Sequence, residues 1–130
     1  MAKQFTLGKD ERLKSRKLIE QLFGEGKKFT ITPFRVHYLF AGNEKPLFQF
    51  GVGVSNKNFK KAVDRNRIKR LTREAFRLQK LLLQQKLKEQ DKGLNIFFIY
   101  TGKDIPEYKL VFDAVSKILD KVSSIIDSGK

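Results

Sequence analysis

KKAVDRNRIKRLTREAFR, running from Lys60 to Arg77, places two demands on one element. Eight of its eighteen residues are Lys or Arg, yet Ile68, Leu71 and Ala75 recur at helical spacing. That spacing predicts a helix, and the pattern continues from about Lys61 to about Glu89. Set Arg65 at zero and advance 100° per residue. Ile68, Leu71, Ala75, Leu78 and Leu82 then fall in one arc of roughly 220° to 300°. Arg65, Lys69, Arg70, Arg73, Arg77 and Lys80 fall between about 0° and 140°, with Asn66 among them. Arg67 and Glu74 lie at the border. One face is expected to pack while the other forms a cationic ridge.

A plain solvated face mixes signs and gains from opposite charges at i,i+4. Here Lys57 to Lys80 holds ten basic and two acidic residues. The row Arg65, Lys69, Arg73, Arg77 sets like charges at i,i+4, costing a few tenths of a kcal/mol per pair. An anion that binds the row relieves that repulsion, and the Arg fork suits phosphate oxygens. Asn66 adds an amide able to serve a base edge or a 2′-hydroxyl, or to act near the helix start.

The whole chain carries the same imbalance: 28 Lys plus Arg against 14 Asp plus Glu, formally +14, in 130 residues. Nucleic acid is the first partner class this implies and an anionic membrane surface the second. The apolar arc is needed by the core, which argues against membrane insertion. A 40% hydrophobic share that includes twelve Phe supports one domain, 1–130, with residues 1–14 as an arm that could be flexible. Without Cys there are neither disulfides nor thiolate metal sites. No apolar leader or span is legible, so a cytoplasmic location and no membrane partner are expected.

Working outward, SRKLIEQLFGEG reads as a short helix with Ser15 as N-cap, a stripe of Leu18, Ile19, Leu22 and Phe23, and glycines as the stop. PFRVHYLF alternates Phe34, Val36, Tyr38 and Phe40 against Arg35, His37 and Leu39. AGNEKP reads as a turn. LFQFGVGVS turns Phe48, Phe50, Val52 and Val54 inward. Its other face, Gln49, Gly51 and Gly53, is low enough for a backbone or ligand to lie close. LNIFFIY reads as a strand covered on both sides. A last amphipathic helix spans about Pro106 to Ile126, with Val111, Val115, Ile118, Leu119, Val122 and Ile126 as its stripe. Helices against one sheet follow.

No catalytic constellation is legible: His37 is the single histidine, and neither metal-ligand spacing nor a phosphate-binding or nucleophile motif occurs. A helix-turn-helix would need a partner helix directly before the basic one, where a Gly-rich strand stands, so DNA is not expected.

DRNRIKRLTREAFR resembles the signature helix of the protein subunit of bacterial ribonuclease P. ERLKSRKLIEQLFGEGKKF, FGVGVSNKNFKKAV and LNIFFIYT resemble further parts of that family in the same order, over roughly residues 5 to 120. The resemblance implies an α/β (α+β) two-layer sandwich, order α-β-β-(β)-α-β-α, ribosomal protein S5 domain 2-like with a left-handed βαβ crossover. It implies no catalytic residue and no metal ligand on this chain. A catalytic RNA subunit would perform magnesium-dependent removal of the 5′ leader from precursor tRNA, the magnesium bound mainly by RNA. One monomer would bind one RNA, and precursor tRNA would be the second partner. By position, Lys57, Lys60, Lys61, Arg65, Asn66, Arg67, Lys69, Arg70, Arg73 and Arg77 would face that RNA. Arg12, Lys14, Ile19, Phe23, Arg35 and His37 would line a leader cleft between the first helix and the sheet. Ile19 stands where many members have Phe, and His37 where an aromatic such as Tyr is common. The alternative is a non-catalytic RNA-binding module of ribosomal or ribosome-assembly type.

Overall fold

The computed structural model describes residues 12, 13, 15–41 and 48–128. Its elements are α1 (Arg16–Glu25), β1 (Lys27–Ile31), β2 (Phe34–Ala41), β3 (Phe48–Val54), α2 (Ala62–Gln90), β4 (Gly93–Tyr100) and α3 (Tyr108–Ser128). Ser15 caps α1 by accepting from the Leu18 amide at 3.3 Å, and Gly26 ends it with its N–H on the Leu22 carbonyl. β1 is the additional strand before the basic helix. Its KKFTI alternates too weakly to be recognised by itself. The AGNEKP turn lies mostly outside the described residues, as does Lys14.

The four strands lie in the order β1-β2-β4-β3. β1 with β2 and β2 with β4 are antiparallel, while β3 and β4 run parallel. Parallel neighbours cannot be joined by a tight turn, so α2 forms the crossover between them. The strands turn Phe34, Val36, Phe48, Phe50, Leu94, Ile96 and Phe98 into the core, where α2 and α3 cover them. Phe76 of α2 stacks on Phe50 at 4.0 Å with 3° between planes, and Phe98 meets the Phe50 ring edge-on at 5.0 Å. The α3 stripe is buried throughout. Among the described residues no helix is long and apolar enough to cross a membrane.

Two sequence expectations need correction. α2 buries Ile68, Thr72, Ala75, Phe76, Lys80, Leu83 and Leu87, while Leu78 and Leu82 are exposed. The helix packs on the sheet through Phe76. Its later part lies against α3, where Gln79 donates to the Phe112 carbonyl and Lys86 pairs with Asp127, so its buried stripe rotates instead of following one arc. Lys80 therefore leaves the ridge and lies inside, its ammonium 5.7 Å from the Phe48 ring centre. β4 is fully covered on one face and only partly, by α1, on the other, where Asn95, Phe97 and Ile99 are half-buried.

Candidate nucleic-acid interface

The ridge is built on the first half of α2. Val63, Asn66, Arg67, Lys69, Arg70 and Arg73 line one shallow open concavity. Five of these six groups donate hydrogen bonds and four carry charge, which suits a phosphate backbone. Not all the cations are equally available. Arg65 turns back on the approach loop: its Nη1 donates to the carbonyls of Phe59 at 2.7 Å and Lys60 at 2.9 Å. That loop carries the exposed Lys57, Lys60 and Lys61, so Arg65 holds the chain that presents them. Phe59 anchors the same loop, buried against Tyr100 at 6.0 Å. Arg77 is engaged by Glu74, with Nε to Oε1 at 3.0 Å and Nη2 to Oε2 at 2.7 Å.

Arg12 lies at the other side of the ridge. It bridges to Phe50 on the edge strand, and the next amide, Leu13, donates to the Phe50 carbonyl at 2.8 Å. Leu13 is buried, which pins this part of the arm. Partial burial, then the positive charge of Arg12, lowers the pKa of Arg73. Arg12 and Arg73, from separate elements, are thus near enough for one charge to act on the other.

The opposite sheet face forms a second surface, under α1. Cross-strand register aligns Lys28, His37, Phe97 and Gly51 in one row, and Thr30, Arg35, Ile99 and Gly53 in the next. Phe23 descends from α1 onto the first row. Its ring lies 4.6 Å from His37 and 5.4 Å from Phe97, yet Phe23 remains 45% exposed. Ile19, one turn earlier, is half-buried and Arg35 exposed. The glycines make room for the third ring: a Cβ on Gly51 would stand 2.6 Å from Phe97 and 3.2 Å from the Leu13 carbonyl. The low relief of β3 therefore admits both an arm backbone and an aromatic side chain. Phe97 was not among the expected cleft residues; the glycines opposite it were its signal. Burial chiefly, then Arg35 and Lys28, lowers the His37 pKa.

Among the described residues no cluster of His, Asp and Glu could hold a metal ion. What the two surfaces offer is recognition: charge for a backbone on one, rings for unpaired bases on the other.

Comparison with known proteins agrees with this description. The sequence profile of the family described as Ribonuclease P matches residues 7–123. The ribonuclease P protein component of Porphyromonas gingivalis is 38% identical over 126 residues, spanning 96% of this chain and 92% of the relative. That of Dictyoglomus turgidum is 39% identical over 114 residues, covering 88% and 87%. Among solved structures, the RNase P protein from Thermotoga maritima superposes with a TM-score of 0.64 at 28% identity, covering 85% of this chain and 96% of the other. Staphylococcus aureus RNase P protein gives 0.65 at 23% identity, covering 88% and 96%, a likeness of fold.

Proposed function

The chain belongs to the ribonuclease P protein family, the protein component of an endoribonuclease that works with an RNA subunit, and from that premise we propose how its two surfaces divide the work. The concavity of Asn66, Arg67, Lys69, Arg70 and Arg73, with Lys57, Lys60, Lys61, Arg65 and Arg77 around it, binds the catalytic RNA. The cleft of Phe23, Arg35, His37 and Phe97, with Ile19 beside it and Arg12 at its mouth, takes the 5′ leader of precursor tRNA. One protein binds one RNA in the cytoplasm. Hydrolysis of the leader phosphodiester, with its magnesium, occurs on the RNA. The observation that carries this reading is the placement of a phosphate-suited helix and an open ring platform on opposite faces of one sheet. A single small chain so arranged can hold catalyst and substrate at once.

Reconstitution tests it. The protein alone is expected to leave precursor tRNA intact, and to accelerate leader removal by a bacterial ribonuclease P RNA at low magnesium. Cleavage by RNA-free protein would sink the reading. Within the cleft, Phe23→Ala is expected to weaken precursor tRNA binding by about 1–3 kcal/mol, the worth of one base stack. Mature tRNA, without a leader, should lose little. Equal losses for both would move the leader elsewhere.

A further inference from the structure

The row of the ring platform and the row next to it carry charge that base stacking does not use. Lys28 on β1 stands directly opposite His37 on β2. Arg35 precedes His37 by two residues on the same strand, so its side chain leaves the same face about 7 Å away. Among the described residues neither Lys28 nor Arg35 has a carboxylate partner. The elements around His37 supply no counter-charge either. α1 presents the Phe23 ring and keeps Glu20 and Glu25 exposed, while β4 presents Phe97 and β3 presents Gly51. Two fixed cations and a third, ionisable group therefore border the stacking platform, and among the described residues the charges acting on His37 are those of Arg35 and Lys28.

We propose that Lys28, Arg35 and His37 form a phosphodiester subsite of the cleft, and that RNA phosphate seated there is taken up together with a proton on His37. The inference rests on the leader reading given above. In the free protein, burial and the two neighbouring cations keep the imidazole neutral to below its ordinary range. A phosphate between Lys28 and Arg35 reverses the local field and favours imidazolium, whose two N–H groups both donate. The proton comes from solvent and no covalent bond is made or broken. By linkage, each pH unit between the free and bound pKa values is then worth up to about tenfold in affinity, tighter toward acid. A base stacked on Phe23 and Phe97 would place its adjoining phosphate in this subsite.

His37 is the single histidine of the chain, so its imidazole proton resonance identifies itself. The full-length protein is titrated by NMR alone, with short single-stranded RNA, and with inorganic phosphate at equal concentration. RNA is expected to raise the His37 pKa by about one unit, free phosphate far less. Lys28→Gln with Arg35→Gln should reduce that rise. In the reconstituted holoenzyme, preference for precursor over mature tRNA should grow several-fold from about pH 8 to about pH 6. His37→Phe, which keeps a ring, should flatten that profile. An RNA-independent His37 pKa with the precursor preference intact would overturn the subsite while leaving the leader cleft standing. An equal response to inorganic phosphate would overturn its assignment to RNA. Loss of any precursor preference at all pH values would fell the cleft reading, and the subsite with it.

Discussion

Replacing Arg70 and Arg73 together by Ala is expected to weaken binding to ribonuclease P RNA by roughly two to four orders of magnitude. Each charge-assisted hydrogen bond contributes about 1.5–3 kcal/mol, and each factor of ten in affinity corresponds to about 1.4 kcal/mol. The choice of these two follows from geometry. Both are exposed and line the concavity, whereas Arg65 is committed to the Phe59 and Lys60 carbonyls and Arg77 to Glu74. The same variant should flatten the dependence of log affinity on log salt by nearly two units, because each lost phosphate contact releases about one counterion fewer. Its thermal midpoint should hold steady, since Ala suits an exposed helical position as well as Arg. Filter binding over a salt series reads the slope directly. A slope equal to that of the unaltered protein would show that the concavity is not where the RNA lies.

The sorted charges of α2 were visible in the sequence because helical periodicity is local. Ser15, three residues from the amide it caps, was visible for the same reason. The alternation of β2 and β3 likewise identified the buried Phe34, Val36, Phe48 and Phe50. What escaped depends on partners distant in sequence. A wheel assumes one stripe, but α2 meets both the sheet and α3, so Lys80 is buried and Leu82 is exposed. β4 is apolar at nearly every position, and nothing in LNIFFIY says which face α1 leaves half-open. Only its register against Gly51 and Gly53 shows why the Phe97 ring fits there. Lys28 escaped entirely, because its position opposite His37 exists only once β1 is paired.

Phe76→Ala is expected to cost about 3–5 kcal/mol of folding stability, the usual range for emptying a fully buried aromatic site. That is a large part of the 5–15 kcal/mol typical of a domain. The site cannot easily collapse. Phe76 stacks flat on Phe50 at 4.0 Å and meets Phe48 at 5.5 Å and Phe98 at 6.2 Å, so the void would be walled by rings held on three strand positions. Urea unfolding should show a lower midpoint with an unchanged slope, the mark of lost stability without a changed unfolded state. A loss below about 1 kcal/mol would mean that the helix repacks and that this ring stack is not what holds it to the sheet. The consequence for function runs through Phe50. Its ring holds the basic helix to the sheet while its carbonyl accepts the Leu13 amide at 2.8 Å. The basic helix and the chain segment at Leu13 therefore share one residue as support. In Phe76→Ala, hydrogen exchange at the Leu13 amide should accelerate by more than global destabilisation alone explains, because the strand that anchors it has lost its backing.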